Sequence, residues 1–73
     1  MTDEERAEQI RAYIAGIERI KKTHPKGSNE YNLAMDRILL RLSAIWKLYR
    51  ELQDNGRADL WEEFKEWAER LAE

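Results

Sequence analysis

The 73-residue chain is predicted to fold as an all-α three-helix bundle that runs up-down-up, with a shorter third helix. Three observations predict this fold. Apolar residues recur at intervals of three and four along three stretches, the spacing that places side chains on one face of a helix. Short polar stretches containing glycine or proline separate these three segments, and short connections make successive helices pack antiparallel. Nothing alternates with a period of two over strand length. A single domain is expected over residues 1–73, with helices at 3–23, 29–54 and 59–72.

The first helix is predicted to begin after Thr2. Thr2 and Glu5 have the spacing of a capping box, in which each side chain bonds the other residue's backbone N–H. Pro25 disfavours helical geometry at His24, so the helix is expected to end near Thr23. The apolar stripe of this helix is formed by Ala7, Ile10, Ile14 and Ile17.

The second helix is predicted to be one continuous element over residues 29–54, central to the fold. Ser28 is expected to cap its start, and Gly56 can adopt the left-handed conformation that ends a helix. A core seam follows the three-and-four spacing along this helix, through Tyr31, Met35, Ile38, Leu42, Ile45, Tyr49 and Leu52.

The third helix is predicted over residues 59–72, where Asp59 and Glu62 repeat the capping-box spacing. Trp67 lies on the apolar stripe of this helix and is expected in the core. Trp46 and Trp61 are expected at the edge of the core, where an indole ring covers apolar side chains while its nitrogen reaches water.

Composition excludes several functional classes. The net charge of −2 and the pI near 5.5 argue against nucleic-acid binding, which requires a basic surface to displace counterions from phosphates. No run of about 18 apolar residues is present, and the acidic N-terminus does not resemble a signal peptide. Membrane binding is therefore not expected. The absence of cysteine makes the fold independent of redox compartment, and a cytoplasmic location is the default expectation.

Residue types that support catalysis are also scarce. His24 is the one histidine and stands beside Pro25 at a helix end, where it is expected to complement the helix dipole. Glutamates on the third helix are expected to form a solvated surface. The chain has no glycine-rich phosphate loop, nucleophile elbow or His-x-x-His spacing. The prediction is a protein that is not an enzyme, with no catalytic residue, cofactor or metal.

A second apolar row beside the core seam of the central helix is the strongest candidate for a binding surface. We call this second row the outer row. It consists of Leu33, Leu40, Ala44 and Leu48, with Arg37 and Arg41 between them in sequence. An apolar patch rimmed by arginine has the composition that protein interface centres favour. The alternative is that Leu48 and part of Leu40 widen the core contact of the helix.

Small residues on the first helix supply a second candidate contact. Glycine within a helix costs about 1 kcal/mol relative to alanine, so a reason for Gly16 is worth seeking. Close approach of another backbone to Ala12 and Gly16 would be one. That backbone belongs either to the chain's own third helix or to a partner, and the partner is the preferred interpretation.

The chain resembles de novo designed helical mini-proteins. The resemblance rests on the two capping-box spacings, on Glu-to-basic pairs at Glu18/Lys22 and Glu66/Arg70, on the absence of cysteine and on minimal loops. It covers the whole chain and is one of style, not of a motif. It implies a binder that presents one helical face to a target, for which cellular location does not apply. A natural small phage or bacterial protein is the alternative.

The predicted function is therefore a protein-binding module that presents a face of the first and second helices to a partner protein with an apolar, mildly acidic surface. One alternative is a homodimer whose seam buries the outer row. Another is a scaffold with no partner. The residues expected to contact the partner are Ala12, Gly16, Leu33, Arg37, Leu40, Arg41, Ala44 and Leu48.

Overall fold

A computed structural model describes the backbone of residues 1–72 and the side chains of residues 1–70. Every regular element in that range is helical, which confirms the all-α prediction. Leu71, expected on the core stripe of the last helix, and Ala72, expected beside that stripe, have side chains outside the described set. The elements are α1 (Asp3–Thr23), α2 (Asn29–Leu39), α3 (Leu42–Asp54), α4 (Ala58–Trp61), a 3₁₀ turn (Glu62–Phe64) and α5 (Lys65–Ala72).

The predicted local signals at three helix ends are present. Thr2 and Glu5 form the reciprocal capping box, and both of its hydrogen bonds measure 3.1 Å. The Ser28 hydroxyl accepts the Tyr31 N–H at 3.1 Å at the start of α2. Gly56 follows α3 with a φ of 69°, a conformation that costs glycine little. These ends depend on residues within a few positions of each other, so sequence alone predicts them.

The predicted central helix over 29–54 is wrong as one element, because Leu40 and Arg41 form a turn between α2 and α3. Both residues keep right-handed backbone angles, but the turn is tightened. The Arg41 N–H donates to the Ile38 carbonyl three residues back, at 3.1 Å. This is a short 3₁₀ step inside a helical stretch, an arrangement common at hinges. Neither glycine nor proline lies near it, so no local breaker announces it.

The predicted third helix over 59–72 is also divided in the structure, into α4, the 3₁₀ turn and α5. Its predicted capping box does not form. Arg57 is the N-cap residue, and no side chain caps this end. The Asp59 carboxylate instead accepts hydrogen bonds from the Arg57 guanidinium at 3.1 and 3.0 Å. The Asp59 carboxylate therefore pairs with Arg57 and does not accept the backbone N–H that the capping-box spacing predicted.

The core lies toward one end of the molecule. Arg6 near the start of α1 contacts Glu51 near the end of α3 at 2.7 Å, so these helices run antiparallel. The most deeply buried side chains are Ile10 and Leu52, both with no exposed area. The third segment, which comprises α4, the 3₁₀ turn and α5, supplies Phe64 and packs beside both helices. The buried residues are Ala7, Ile10, Tyr13, Ile45, Tyr49, Leu52, Phe64 and Ala68.

Helix α2 is the least covered part of this arrangement. It packs against α1, yet none of its eleven residues is fully buried. The last turns of α1, Pro25 and α2 thus form a two-layer end, while the opposite end has three layers. Helix α2 therefore retains apolar surface, at Leu33 and Leu39, that the described residues do not cover.

The predicted positions of the tryptophans are partly met. Trp46 and Trp61 are half-buried and pack against the core, as expected. Trp67, expected in the core, is half-buried as well. Its ring centroid lies 6.0 Å from that of Tyr13 and 6.0 Å from that of Trp46. Trp67 therefore closes the edge of the core and does not fill its centre.

Candidate protein-binding surface

A groove runs between α1 and the junction of α2 with α3. It encloses about 430 Å³. Small residues on both sides leave it open, because their side chains extend little beyond the backbone. Four of the predicted contact residues, Ala12 and Gly16 of α1 with Arg41 and Ala44 of the junction, line it together. Its remaining lining residues are Gln9, Tyr13, Ile38 and Ile45.

Gly16 lies beneath an α2 side chain in this groove. A Cβ atom built on Gly16 would be 2.8 Å from Ile38 Cδ1, closer than carbon atoms approach without displacement. The close neighbour of Gly16 is therefore the chain's own second helix, and it is a side chain and not a backbone. The absence of a side chain at Gly16 therefore leaves space for Ile38. It also deepens the groove, because Gly16 lines it.

The large exposed apolar side chains are concentrated on α2. Leu40 is 84% exposed, Leu33 is 65% exposed and Leu39 is 44% exposed. Leu33 and Leu40 are seven residues apart, about 10.5 Å along the helix and on the same side of it. Among the described residues, Met1 is the one other large apolar side chain with such exposure. This end of the molecule therefore presents leucine to solvent.

The other predicted contact residues fall in two different places. Arg37 is exposed on α2, between Leu33 and Leu40 in sequence. Leu48 is half-buried and packs against the core, so it widens the internal contact, as the alternative reading proposed. The structure thus brings four predicted residues into the groove and packs Leu48 against the core. It leaves Leu33 and Arg37 exposed on α2, and Leu40 exposed in the turn that follows α2.

Five residues of this surface were missing from the predicted set, namely the groove residues Gln9, Tyr13, Ile38 and Ile45 and the exposed Leu39. Gln9 lies on the α1 side of the groove, and Ile38 lies on the α2 side. Leu39 is exposed beside Leu40. The spacing assigned Ile38 to the core seam, and no sequence signal marks Gln9 as a groove residue.

Charge is distributed unevenly along the chain, a signal that the small net charge conceals. Residues 9–50 contain nine basic and three acidic residues, a net charge of +6. The remaining residues contain four basic and twelve acidic residues, a net charge of −8. The groove lies within the basic stretch, and its lining includes Arg41 and no carboxylate. Helix α2 lies in the same stretch but carries Glu30 and Asp36 beside Arg37. An asymmetry of this kind is readable from sequence and indicates the sign of a binding partner.

Among the side chains that the structure describes, three arginines form all of the ion pairs. Arg6 contacts Asp3 at 2.8 Å and Glu51 at 2.7 Å. Arg11 holds Glu63 with two hydrogen bonds of 2.8 and 2.9 Å.

Arg57 contacts Glu4 and Asp59, both at 3.0 Å, and Asp3 at 3.6 Å. Each of the three arginines therefore forms ion pairs with carboxylates outside residues 9–50. Within the side chains that the structure describes, Arg37, Arg41 and Lys47 form no ion pair.

These pairs alter the ionisation of exposed carboxyl groups. Hydrogen bonds from Arg11 hold the pKa of Glu63 below its ordinary value of 4.5. Hydrogen bonds from Arg57 lower the pKa of Asp59 below 3.8 in the same way. The backbone N–H of Thr2 lowers the pKa of Glu5 at the capping box. All three carboxylates therefore stay charged to lower pH than free side chains do.

Tyr13 combines burial with an unpartnered hydroxyl. Its side chain is 5% exposed, and its hydroxyl oxygen has no hydrogen-bond partner. Burial also raises the pKa of this phenol above its ordinary value of 10.0. A buried hydroxyl without a partner destabilises the folded state, so Tyr13 marks a weak point where the core meets the groove.

Two other kinds of functional feature are absent from the described residues. No three histidine, aspartate or glutamate residues in the described part of the chain come together as metal ligands. None of the described helices is both long enough and apolar enough to cross a membrane. The groove, which carries one charged residue, Arg41, lies near the exposed leucines of α2 and of the turn that follows it.

Comparison with known proteins adds no relative to this picture. No protein-family model matches the chain, and no curated protein or solved structure is similar to it. The functional argument accordingly depends on the groove, on the exposure of α2 and on the distribution of charge.

Proposed function

We propose that the chain is a protein-binding module whose contact surface is formed by α2 and the groove. Its three helical segments act together as an up-down-up bundle that holds this surface rigid from one side. In keeping with its resemblance to designed mini-proteins, the chain would be a designed binder that presents one helical face to a target.

The observation that carries the proposal is the exposure of α2. A helix in a small bundle normally buries one stripe and exposes polar residues elsewhere. Here none of the α2 residues is fully buried, and Leu33 and Leu40 are mainly exposed. Exposed apolar clusters rimmed by arginine are typical of interface centres, where a partner removes the leucines from water.

A peptide-library selection tests the proposal. The folded chain is immobilised, and helical peptides displayed on phage are enriched for binding to it. Enriched peptides are expected to lose at least about tenfold in affinity for Leu40→Glu, because a carboxylate would then sit at the centre of the apolar contact. Ala58→Glu is the matched control, since it adds the same charge to an exposed residue outside the surface.

The outcomes separate the alternatives. Peptides that bind wild type, Leu40→Glu and Ala58→Glu equally would place the binding surface elsewhere and overturn the proposal. The absence of any enriched peptide would favour a scaffold with no partner. A mass measured by light scattering that doubles with concentration, and returns to the monomer in Leu40→Glu, would assign α2 to a homodimer.

A further inference from the structure

We propose that the partner of α2 and the groove is an acidic amphipathic helix. This inference rests on the proposed function and deepens it by stating the chemistry of the partner. The apolar side of such a helix would cover Leu33, Leu40 and the groove. Its carboxylates would reach Arg37 and Arg41, the cations at the edges of this surface.

Charge complementarity is the first argument. The groove lies within the basic stretch over residues 9–50, which carries a net charge of +6, and the one charged residue of its lining is Arg41. The acidic parts of the chain already occupy Arg6, Arg11 and Arg57. Arg37 and Arg41 are exposed and contact no carboxylate among the described side chains. An acidic partner would supply what these arginines lack.

The shape of the groove indicates a helix as the form of the partner. Its walls are formed by α1 on one side and by the α2–α3 junction on the other. The walls project little into solvent because they contain small residues, Ala12, Gly16 and Ala44. Another helix can therefore approach them closely. Helices that bind in apolar grooves use anchors on one face at intervals of three and four residues. An acidic version of that pattern fits both the groove and its rim.

A second copy of the chain fits this surface less well. Symmetric pairing through the groove would bring Arg41 of one copy near Arg41 of the other, and like charges at an interface oppose association. Head-to-tail pairing would place α2 against the acidic third segment of another copy. The described exposed residues of that segment include no large apolar side chain, so Leu33 and Leu40 would remain uncovered.

The test uses two synthetic peptides of about 20 residues, which span about 30 Å as helices. Both carry leucine at the first and fourth positions of each heptad. One has glutamate at the flanking positions, and the other has lysine there. Fluorescence anisotropy of each labelled peptide with the full chain gives its Kd. The glutamate peptide is expected to bind at least about tenfold more tightly, and to weaken between about 0.05 and 0.5 M salt.

Variants of the chain locate the charge effect. The double substitution Arg37→Glu with Arg41→Glu is expected to reverse the preference toward the lysine peptide. Lys65→Glu with Arg70→Glu is the matched control, because it reverses two exposed cations of the third segment and should leave the preference unchanged. A preference that follows the control pair and not Arg37 and Arg41 would overturn the proposal.

The remaining outcomes keep this inference separate from the proposed function. If the two peptides bind equally and both lose affinity for Leu40→Glu, the acidic partner is wrong while the binding surface stands. If neither peptide binds, the acidic helix is also wrong, and the library selection alone decides the proposed function. Co-sedimentation with phosphatidylserine vesicles, without a preference between the peptides, would replace the helix with an anionic lipid surface.

Discussion

Gly16 of α1 and Ile38 of α2 are complementary in size, since Ile38 Cδ1 occupies the space that a Gly16 side chain would need. A Cβ atom on Gly16 would approach this methyl group to 2.8 Å. The pair joins two helices at the floor of the groove, next to the turn that separates α2 from α3. The contact between Gly16 and Ile38 therefore helps to fix the position of α2 against α1, and with it the shape of the groove.

The Gly16 and Ile38 contact predicts a coupling in stability. Gly16→Ala gains about 1 kcal/mol of helix propensity, but it forces Ile38 from its rotamer at a cost of about 0.5–1.5 kcal/mol. In wild type these effects nearly cancel. In the Ile38→Val background, which lacks the Cδ1 atom, Gly16→Ala should stabilise by about 1 kcal/mol. Urea unfolding of the four proteins in this cycle measures the coupling, and additive effects would show that the contact is absent.

Leu40→Glu is expected to leave the fold intact. Leu40 is 84% exposed, and it caps the end of α2 through its backbone N–H and not through its side chain. A surface substitution of this kind should change stability by no more than about 0.5 kcal/mol. Leu52→Ala is the contrast, because Leu52 has no exposed area and its truncation should cost about 2–5 kcal/mol. Thermal unfolding followed by circular dichroism distinguishes them. If Leu40→Glu destabilised the chain as much as Leu52→Ala, Leu40 would be a core residue.

Tyr13→Phe is expected to stabilise the chain. The substitution keeps the buried ring and removes a hydroxyl that has no partner. Relief of an unsatisfied buried polar group should raise the free energy of unfolding by about 1 kcal/mol, or the melting temperature by about 4–8 °C. Tyr49→Phe is the control, since Tyr49 is also 5% exposed but its hydroxyl is not among the buried unpartnered atoms. A loss of stability in Tyr13→Phe would reveal a hydrogen bond to that hydroxyl.

Local chemistry explains which parts of this fold sequence reasoning could predict. The capping box at Thr2 and Glu5 and the left-handed Gly56 involve neighbouring residues, and both form as predicted. The turn at Leu40 and Arg41 was not predicted, because neither glycine nor proline lies there to interrupt the helix. Asp59 was misassigned for a related reason. Its spacing from Glu62 suits a cap, but the guanidinium of Arg57 competes for the same carboxylate.

The surface was partly predictable for the same physical reason. Apolar and small residues away from the core seam identified Ala12, Gly16 and Ala44, and these residues do line the groove. The continuous row was not predictable as drawn, since Leu48 packs inward while Leu40 is mainly exposed. Separating the two requires knowing where the third segment lies, which depends on packing and not on helical period.

The Arg11 and Glu63 pair predicts that stability depends on acidity. Arg11 lowers the pKa of Glu63 in the folded state, so below pH 4.5 the unfolded chain binds more protons than the folded chain. By linkage, the contribution of the pair is complete above the unfolded pKa and is lost as pH falls through the lower folded pKa. The same sign applies to Asp59 beside Arg57. The urea midpoint should therefore be constant from about pH 7 to 5.5 and fall below about pH 4.5.

Arg11→Gln isolates the contribution of this pair from the general effect of positive charge at low pH. Without the guanidinium, the pKa of Glu63 should return toward 4.5, and the acid decline of the midpoint should become shallower. Arg37→Gln is the matched control, because Arg37 is exposed, forms no ion pair among the described side chains and should keep the wild-type slope. Equal slopes in all three proteins would show that the Arg11 and Glu63 pair is too weak in water to stabilise the fold.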